Sequence, residues 1–318
     1  MERFFLSSRI LTKRKTIIAA CAGGALLVAT PLVASATTSD TPEPRPAPAI
    51  AAKGASLLDG SGKVLYGKTE NKARPMASTA KIMLATVVLD TKDVDLERQV
   101  PVKQAYRDYV TEHEASTADL KTGDKVTVRQ LLYASLLPSG ADAAYALADT
   151  FGTGATPEER SKSFIGKMNT RADELGLKNT EYDSFDGTSK TTSSTPAELA
   201  RLAQHAMQNP TFRTVVSTKT YKGDAPAENG GTRTYTWANT NKLLGSYKGV
   251  LGIKTGTTTP AGPCLVFAAA RGEKNLVGTV MNSKDRYDDA AKLLDYGFDT
   301  NSVEKMKLRK LPTGAQAD

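Results

Sequence analysis

A serine followed three residues later by a lysine is the first feature of this chain that could carry out chemistry. The pair is Ser78 and Lys81, and apolar residues recur at helical spacing from Ser78 onward, which predicts that Ser78 lies at or just inside a helix N-terminus. Residues i and i+3 share one face of a helix, so the lysine amine can approach the serine hydroxyl. A lysine whose pKa is lowered by burial or by a neighbouring cation can accept the hydroxyl proton. The spacing therefore indicates a nucleophilic serine with a lysine as its general base.

Two more short motifs follow along the chain. Ser139-Gly140-Ala141 falls between two predicted helices, and Lys254-Thr255-Gly256 falls on an apolar strand, where a glycine lets a substrate approach the backbone and a lysine can anchor a carboxylate. Each motif is weak alone, because Ser302-Val303-Glu304-Lys305 repeats the first pattern and Lys121-Thr122-Gly123 repeats the third. The set that begins at Ser78 resembles the penicillin-recognising serine enzymes in the order of its motifs, whereas Ser302 comes too late for that order and Lys121 precedes Ser139.

The elements that position these motifs are predicted from hydrophobic periodicity and from turn and cap residues. Two short apolar runs around Gly60-Ser61-Gly62 predict a β-hairpin, and Thr127 with Gln130 forms a capping box that opens a helix through Leu137. We expect Asp142 to cap the next helix. Further helices are predicted over residues 143–151, 157–178, 196–209 and 286–298. Strands are predicted over residues 250–255, 264–271 and 276–282. This order predicts an α/β (α+β) domain, a sheet flanked by helices with a mostly helical insertion.

Composition and charge exclude several classes of protein. The 318 residues are 40% hydrophobic and 24% charged, which rules out collagen-like, coiled-coil and wholly disordered proteins. The net charge of +8 is divided equally between residues 1–36 and the rest, and so mild an excess over the body is not a nucleic-acid-binding surface. The two cysteines and two histidines have no zinc-site spacing, and we expect neither His113 nor His205 to be catalytic.

The N-terminal residues have the pattern of a targeting segment. Residues 3–15 are basic, residues 16–33 carry no charge, and Ala34-Ser35-Ala36 fits a cleavage site. Residues 1–36 are therefore predicted to be a secretory signal peptide, with an uncleaved N-terminal membrane anchor as the alternative. Either predicts that the rest of the chain is exported across the cytoplasmic membrane. The chain is expected to divide into this leader over residues 1–36, a stiff Pro-rich linker over residues 37–50, a catalytic body over residues 51–300 and a polar tail over residues 301–318.

The three motifs and the sequence around them resemble the low-molecular-mass penicillin-binding proteins, which are serine-type D-alanyl-D-alanine carboxypeptidases. The similar stretches are residues 57–59, 62–68, 74–83, 131–144, 194–200, 252–256, 261–266 and 293–298. The resemblance implies a β-lactamase/transpeptidase-like fold with an antiparallel sheet. It also implies an enzyme that removes the terminal D-alanine of peptidoglycan stem peptides, is acylated by β-lactams, and needs no metal ion or organic cofactor.

The resemblance also assigns a role to each motif residue. Ser78 would be the acylated nucleophile, Lys81 its general base, and Ser139 a relay that passes a proton toward the leaving D-alanine. The substrate-binding residues would be Lys254, Thr255, Gly256 and Thr257. Lys254 would hold the charge of the network, and Thr255 would help bind the terminal carboxylate. The backbone N–H groups of Ser78 and Thr257 would form the oxyanion hole.

Two positions depart from the family pattern and keep alternatives open. Ala141 stands where the family usually has Asn, and residues 183–187 differ from an Asn-Pro-His-Gly-like stretch. An Asn amide can hydrogen-bond the lysine and a substrate carbonyl, so its loss would lower activity about ten- to a hundredfold. The alternatives are a D,D-transpeptidase or endopeptidase on the same site and a non-catalytic wall-binding pseudoenzyme. A class A β-lactamase would need Ser-Asp-Asn and a deacylating glutamate, for which the sequence offers no candidate. The sequence makes no prediction of oligomeric state.

Overall fold

A five-stranded antiparallel sheet organises the part of the chain that the computed structural model describes, residues 45–315. The strands are β1 (Gly54–Asp59), β2 (Val64–Lys68), β3 (Arg74–Pro75), β4 (Gln99–Pro101), β5 (Lys125–Thr127), β6 (Ser193–Ser194), β7 (Thr220–Pro226), β8 (Thr232–Ala238), β9 (Val250–Gly256), β10 (Cys264–Arg271) and β11 (Lys274–Met281). The main sheet has the order β2-β1-β11-β10-β9, and the other strands form two-stranded pairs. The third motif therefore lies on an edge strand of this sheet.

Seven helices lie between the first and third motifs, and an eighth follows the last strand. The helices are α1 (Lys81–Leu89), α2 (Gln104–Glu112), α3 (Val128–Leu136), α4 (Ala141–Phe151), α5 (Pro157–Glu174), α6 (Pro196–Ala206), α7 (Pro210–Ser217) and α8 (Arg286–Phe298). The Thr127–Gln130 capping box forms both of its hydrogen bonds, and α8 has the predicted bounds. The predicted sheet with a helical insertion is confirmed.

The sheet separates two apolar cores. Val266 and Ala268 of β10 belong to the core shared with the helical insertion, whereas Leu265, Phe267 and Ala269 belong to the core beneath α8. Successive side chains of a strand point to opposite faces, so a strand that is buried on both faces needs a continuous apolar run. This explains why β10 shows no alternation of apolar and polar residues.

Some predicted boundaries differ from the observed ones. The N-cap of α4 is Gly140, not Asp142, and the Asp142 carboxylate instead accepts hydrogen bonds from the backbone N–H groups of Ala118 and Leu120, at 2.9 and 3.0 Å. The predicted α6 ran to residue 209, but Asn209 caps α7 by accepting hydrogen bonds from two backbone N–H groups, so a turn separates the two helices. The predicted α5 is likewise too long, because it ends at Glu174 before a glycine in the left-handed region, Gly176 with φ of 69°.

The body extends beyond the expected limits of residues 51 and 300. Arg45 donates to the backbone carbonyls of Asp295 and Thr300, both at 2.8 Å, and so satisfies carbonyl groups at the C-terminal end of α8. At the other end, Val303 and Met306 pack against the core beneath α8. Residues 45–50 and 301–309 therefore lie on the body rather than in a free linker or tail. The predicted leader and residues 37–44 lie outside the described residues. Within residues 45–315, no helix has the length and hydrophobicity of a membrane span.

Candidate active site

The serine and lysine of the first motif lie side by side. One turn of 3₁₀ helix, Ala77–Ala80, precedes α1 and carries Ser78. The Lys81 Nζ atom donates a hydrogen bond to Ser78 Oγ at 3.1 Å and another to the backbone carbonyl of Asp186 at 3.0 Å. Lys81 is only 1% exposed, whereas Ser78 is half-buried. When the amine is uncharged, the same contact with the hydroxyl can run in reverse, with Ser78 as the donor.

Strand β9 packs directly against the backbone of the turn that carries Ser78. A Cβ atom at Gly256 would lie 3.0 Å from the backbone nitrogens of both Ser78 and Thr79, and 3.2 Å from the Ala77 Cβ. Such contacts are tighter than packed side chains normally make. The glycine of the third motif is therefore required by the close approach of two protein backbones, a reason that sequence reasoning about substrate access did not supply.

The segment Asp183–Gly187, which departs from the family pattern, forms the wall beside Lys81. Asp186 supplies the carbonyl that Lys81 contacts, and its buried carboxylate accepts hydrogen bonds from Thr188 Oγ1 at 2.8 Å and Tyr109 OH at 3.3 Å. Burial and the Asp186 charge raise the pKa of Tyr109, so its hydroxyl stays a donor at neutral pH. Gly187 has φ of 86°, and a Cβ there would overlap the Ala77 carbonyl. The Asp-Gly pair was the available sequence signal for this turn.

The second motif lies in the turn between α3 and α4. Ser139 is buried with φ of 67°, and its Oγ atom has no hydrogen-bond partner among residues 45–315. A buried hydroxyl without a partner is costly, which makes Ser139 a candidate for a functional role. Ala141 is fully buried, and its backbone N–H donates to the Ser116 carbonyl at 2.8 Å. Its methyl group supplies none of the hydrogen bonds of the usual Asn.

The third motif joins the second through Thr240, a residue that sequence reasoning missed. Thr240 donates its backbone N–H to the carbonyl of Leu137, at 3.1 Å, and its Oγ1 lies 2.6 Å from Oγ1 of Thr255. Lys254 is 1% exposed, and its Nζ donates to the Thr255 carbonyl at 2.9 Å. The structure thus links Thr255 to the turn that contains Ser139.

Arg286, at the start of α8, is a second functional candidate that the sequence gave no signal to find. Its Nη1 atom donates to Thr257 Oγ1 at 3.0 Å, to the Gly256 carbonyl at 3.1 Å and to the Cys264 carbonyl at 3.0 Å. Thr257 itself is exposed. The guanidinium therefore holds the end of β9 and the start of β10 together and places a positive charge beside Thr257.

Three other reactive side chains among residues 45–315, those of Cys264, His205 and Lys305, lie outside this set of contacts. Burial raises the pKa of the Cys264 thiol to about 11, so the thiol stays protonated. His205 lies 3.1 Å from an Arg171 nitrogen and 3.4 Å from the Asp90 carboxylate, and Lys305 of the repeated first pattern is exposed. Among residues 45–315, no cluster of three or more His, Cys, Asp or Glu side chains could hold a metal ion.

Comparisons with known proteins identify the class of enzyme. The model of peptidase family S11, D-alanyl-D-alanine carboxypeptidase, matches residues 38–285. The D-alanyl-D-alanine carboxypeptidase of Streptomyces sp. (strain K15) is 50% identical over 281 residues, which are 86% of this chain and 95% of that protein. The carboxypeptidase DacB2 of Mycobacterium tuberculosis is 36% identical over 250 residues, 76% of this chain and 80% of that protein. The chain therefore belongs to the D-alanyl-D-alanine carboxypeptidase family of penicillin-recognising serine enzymes.

Solved structures support the same conclusion about the fold. The crystal structure of the Streptomyces K15 DD-transpeptidase matches with a TM-score of 0.79 at 51% identity, covering 80% of this chain and 99% of that one. A penicillin-binding protein homologue from Mycobacterium tuberculosis matches with a TM-score of 0.70 at 34% identity, covering 80% of this chain and 94% of that one. The predicted β-lactamase/transpeptidase-like fold and the predicted class, a serine-type D-Ala-D-Ala carboxypeptidase, are confirmed.

Proposed function

We propose that this chain removes the terminal D-alanine from peptidoglycan stem peptides through an acyl-enzyme on Ser78, and that β-lactams acylate the same serine. The observation that carries the proposal is the contact of 3.1 Å between Ser78 Oγ and the amine of a lysine that is 1% exposed. Burial of an amine favours its uncharged form, which is the form that can accept a proton. An uncharged Lys81 beside a half-exposed hydroxyl is what a serine nucleophile requires.

The reaction then proceeds through acylation and deacylation of Ser78. Lys81 takes the Ser78 proton as Oγ attacks the carbonyl carbon of the penultimate D-alanine. The backbone N–H groups of Ser78 and Thr257 stabilise the oxyanion, and each such donor is worth about 3–4 kcal/mol of barrier. The buried Ser139 hydroxyl relays a proton to the leaving amine, and the C–N bond breaks to release D-alanine. Water then attacks the ester carbonyl and gives a proton to Lys81, which passes it to Ser78 Oγ as the ester C–O bond breaks and the shortened peptide leaves.

The terminal carboxylate of the substrate needs cationic and hydroxyl groups, and the end of β9 provides them. We assign Thr255 to the carboxylate itself, with the neighbouring charge of Lys254 and Arg286 favouring an anion at this place. Because Gly256 already packs on the backbone of Ser78, the carboxylate-binding end of β9 and the nucleophile keep a fixed separation. This arrangement would orient the scissile bond toward Oγ.

Transpeptidation on the same acyl-enzyme is the second candidate. The 51% identical solved structure carries the name DD-transpeptidase, and Ala141 gives this chain a methyl group where the family usually has an amide. An acceptor amine would then replace water in the second step. For either reaction we place the enzyme on the wall side of the membrane, with residues 1–36 as its signal peptide or N-terminal anchor.

The test is to incubate the full-length chain with benzylpenicillin and follow its intact mass, with Ser78→Ala as the control. We expect one long-lived adduct that is absent from the variant. A peptide ending in D-alanyl-D-alanine, supplied with and without an amine acceptor, then separates hydrolysis from transfer. A short-lived adduct with turnover of penicillin would indicate a β-lactamase. No adduct with either compound would refute the acylation mechanism and favour a wall-binding pseudoenzyme.

A further inference from the structure

One oxygen of the buried Asp186 carboxylate has no hydrogen-bond donor. Asp186 is 0% exposed, and its Oδ1 atom accepts hydrogen bonds from the backbone N–H of Thr188 at 3.1 Å and from Thr188 Oγ1 at 2.8 Å. Tyr109 OH lies 3.3 Å from the same Oδ1 atom. The Oδ2 atom is buried and has no partner among residues 45–315. Such an atom costs stability, and a buried polar group without a partner calls for a functional explanation.

The other buried carboxylates on the helices around Lys81 are satisfied. They are Asp142 and Asp149 of α4 and Glu198 of α6, and both oxygens of each accept at least one hydrogen bond. The buried cations on the elements that bound the site are Lys254 of β9 and Arg286 of α8. Within residues 45–315, Asp186 is the one buried carboxylate that keeps an oxygen without a donor.

Asp186 also contacts the proposed general base through its own backbone. The Lys81 Nζ atom donates to the Asp186 carbonyl at 3.0 Å. Bond lengths and angles keep a carboxyl carbon within about 5 Å of the carbonyl oxygen of its own residue, so the amine lies within about 8 Å of the Asp186 charge. The turn cannot move away easily, because the Gly187 N–H donates to Ser184 Oγ at 3.1 Å and a Cβ at Gly187 would overlap the Ala77 carbonyl.

A general base must be uncharged before the reaction and must accept a proton during it. Burial favours the uncharged amine, but it also penalises the protonated form that the amine becomes. A base works best when its pKa lies near the operating pH, so burial alone would leave a lysine too weak. A carboxylate near the amine opposes this effect because it stabilises the protonated form.

We propose that Asp186 is a positioning residue for Lys81: its carbonyl fixes the amine, and its carboxylate stabilises the ammonium that forms when the amine takes the Ser78 proton. The inference rests on the proposed function, in which Lys81 is the base. It gives a role to a side chain in the segment where this chain departs from the family pattern. The carboxylate acts through its charge and needs no direct contact with the amine.

The experiment measures how the rate of acylation by low concentrations of benzylpenicillin depends on pH, between pH 5 and 10, by intact mass of the full-length chain. Asp186→Asn removes the charge and keeps the size of the side chain. The variant amine should lose its proton at lower pH, so the midpoint of the acid limb should fall by about one pH unit, the effect of a unit charge about 8 Å away at an effective dielectric constant of about 20. Asp186→Ser, a smaller neutral residue, should shift the midpoint in the same direction and serves if Asp186→Asn does not fold.

Two variants on α2 and at its C-terminal end are matched controls. Glu112→Gln removes an exposed carboxylate one turn beyond Tyr109. Histidine ordinarily changes charge between pH 5 and 8, and the ring centre of His113 lies 4.2 Å from that of Tyr109, so His113→Gln tests whether this ring contributes to the profile. Both variants should keep the wild-type midpoint.

A purely structural role for Asp186 would give a different result. The neutral variants would then be slower by the same factor at every pH, with an unchanged midpoint, and this outcome overturns the inference. Neutral variants with wild-type kinetics, an acid limb that disappears in His113→Gln, or a wild-type rate that is independent of pH also overturn it. Wild-type protein that forms no Ser78-dependent adduct at any pH refutes the proposed function itself, whereas normal wild-type acylation with an unshifted Asp186→Asn midpoint refutes only this inference.

Discussion

Replacing Lys81 by methionine tests whether this residue serves catalysis or stability. Methionine has a similar length and no proton-accepting group, so the Lys81→Met variant removes the proposed base while it fills the same space. A positioned general base contributes about 10²–10⁴-fold to a reaction, which corresponds to about 3–5 kcal/mol of barrier. We therefore expect the rate of acylation by benzylpenicillin to fall by that factor.

The expected effect of the same substitution on stability is small, because two contributions oppose each other. Lys81 is 1% exposed and donates to the Asp186 carbonyl, which would lose a partner at a cost of about 1–3 kcal/mol. The methionine side chain fills the same buried space without a polar amine to keep out of water, which offsets part of that cost. The net change should stay within about 2 kcal/mol, or several degrees in melting temperature for a domain of this size.

The assay follows the penicillin adduct by intact-mass spectrometry over time, beside a thermal melt of each variant. Lys305→Met is the matched control, since Lys305 stands in the repeated Ser-x-x-Lys pattern but is exposed in a short 3₁₀ helix. The control should match the wild type in both measurements. Acylation of Lys81→Met within tenfold of the wild-type rate would refute the role of Lys81 as the base, and unfolding at room temperature would show that its role is structural.

Three further predictions follow from the surroundings of the site and the core. Ala141→Asn restores the amide that is usual in the family and should speed formation of the penicillin adduct about tenfold. An unchanged rate would show that the missing amide does not limit acylation. Gly256→Ala should displace Ser78 and slow acylation about tenfold, with unchanged kinetics contradicting the packing argument. Burial raises the pKa of Asp149, but hydrogen bonds from Lys103, Tyr106 and Arg160 outweigh it and hold that pKa below its ordinary value. The free energy of unfolding should therefore fall as the pH drops below about 4, and urea titrations should show a weaker fall in Asp149→Asn.

Local features of the sequence were enough to predict the elements that carry the motifs. The capping box at Thr127 and the apolar spacing after Ser78 depend on residues within a few positions of each other, and α8 was predicted with its observed bounds. The motif order distinguished Ser78 from the repeated pattern at Ser302. These predictions succeeded because hydrogen bonds to neighbouring backbone groups and helical periodicity are local properties.

The elements that sequence reasoning missed have weak local patterns. Helix α2 has only a short apolar stripe, Tyr106, Tyr109 and Val110 within nine residues, and of these only Tyr106 is fully buried. Half of the strand residues of the β7–β8 hairpin are exposed, and β7 contains Gly223, Asp224 and Pro226, residue types that are depleted in strands. The inward side of the hairpin carries Tyr221, Tyr235 and Trp237, whose rings stack in a row. Such elements are stabilised by contacts with distant residues, which a single sequence does not reveal.

The sequence by itself determined the class of the enzyme, the serine and lysine of the first motif, and the helices and strands that carry the motifs. Only the tertiary structure decided that Asp186 accepts a hydrogen bond from Lys81, that Gly256 packs on the Ser78 backbone, and that Thr240 links Thr255 to the second motif. The physical reason is the separation along the chain. Lys81 and Asp186 are 105 residues apart, so their contact exists only after the sheet and helices have packed together.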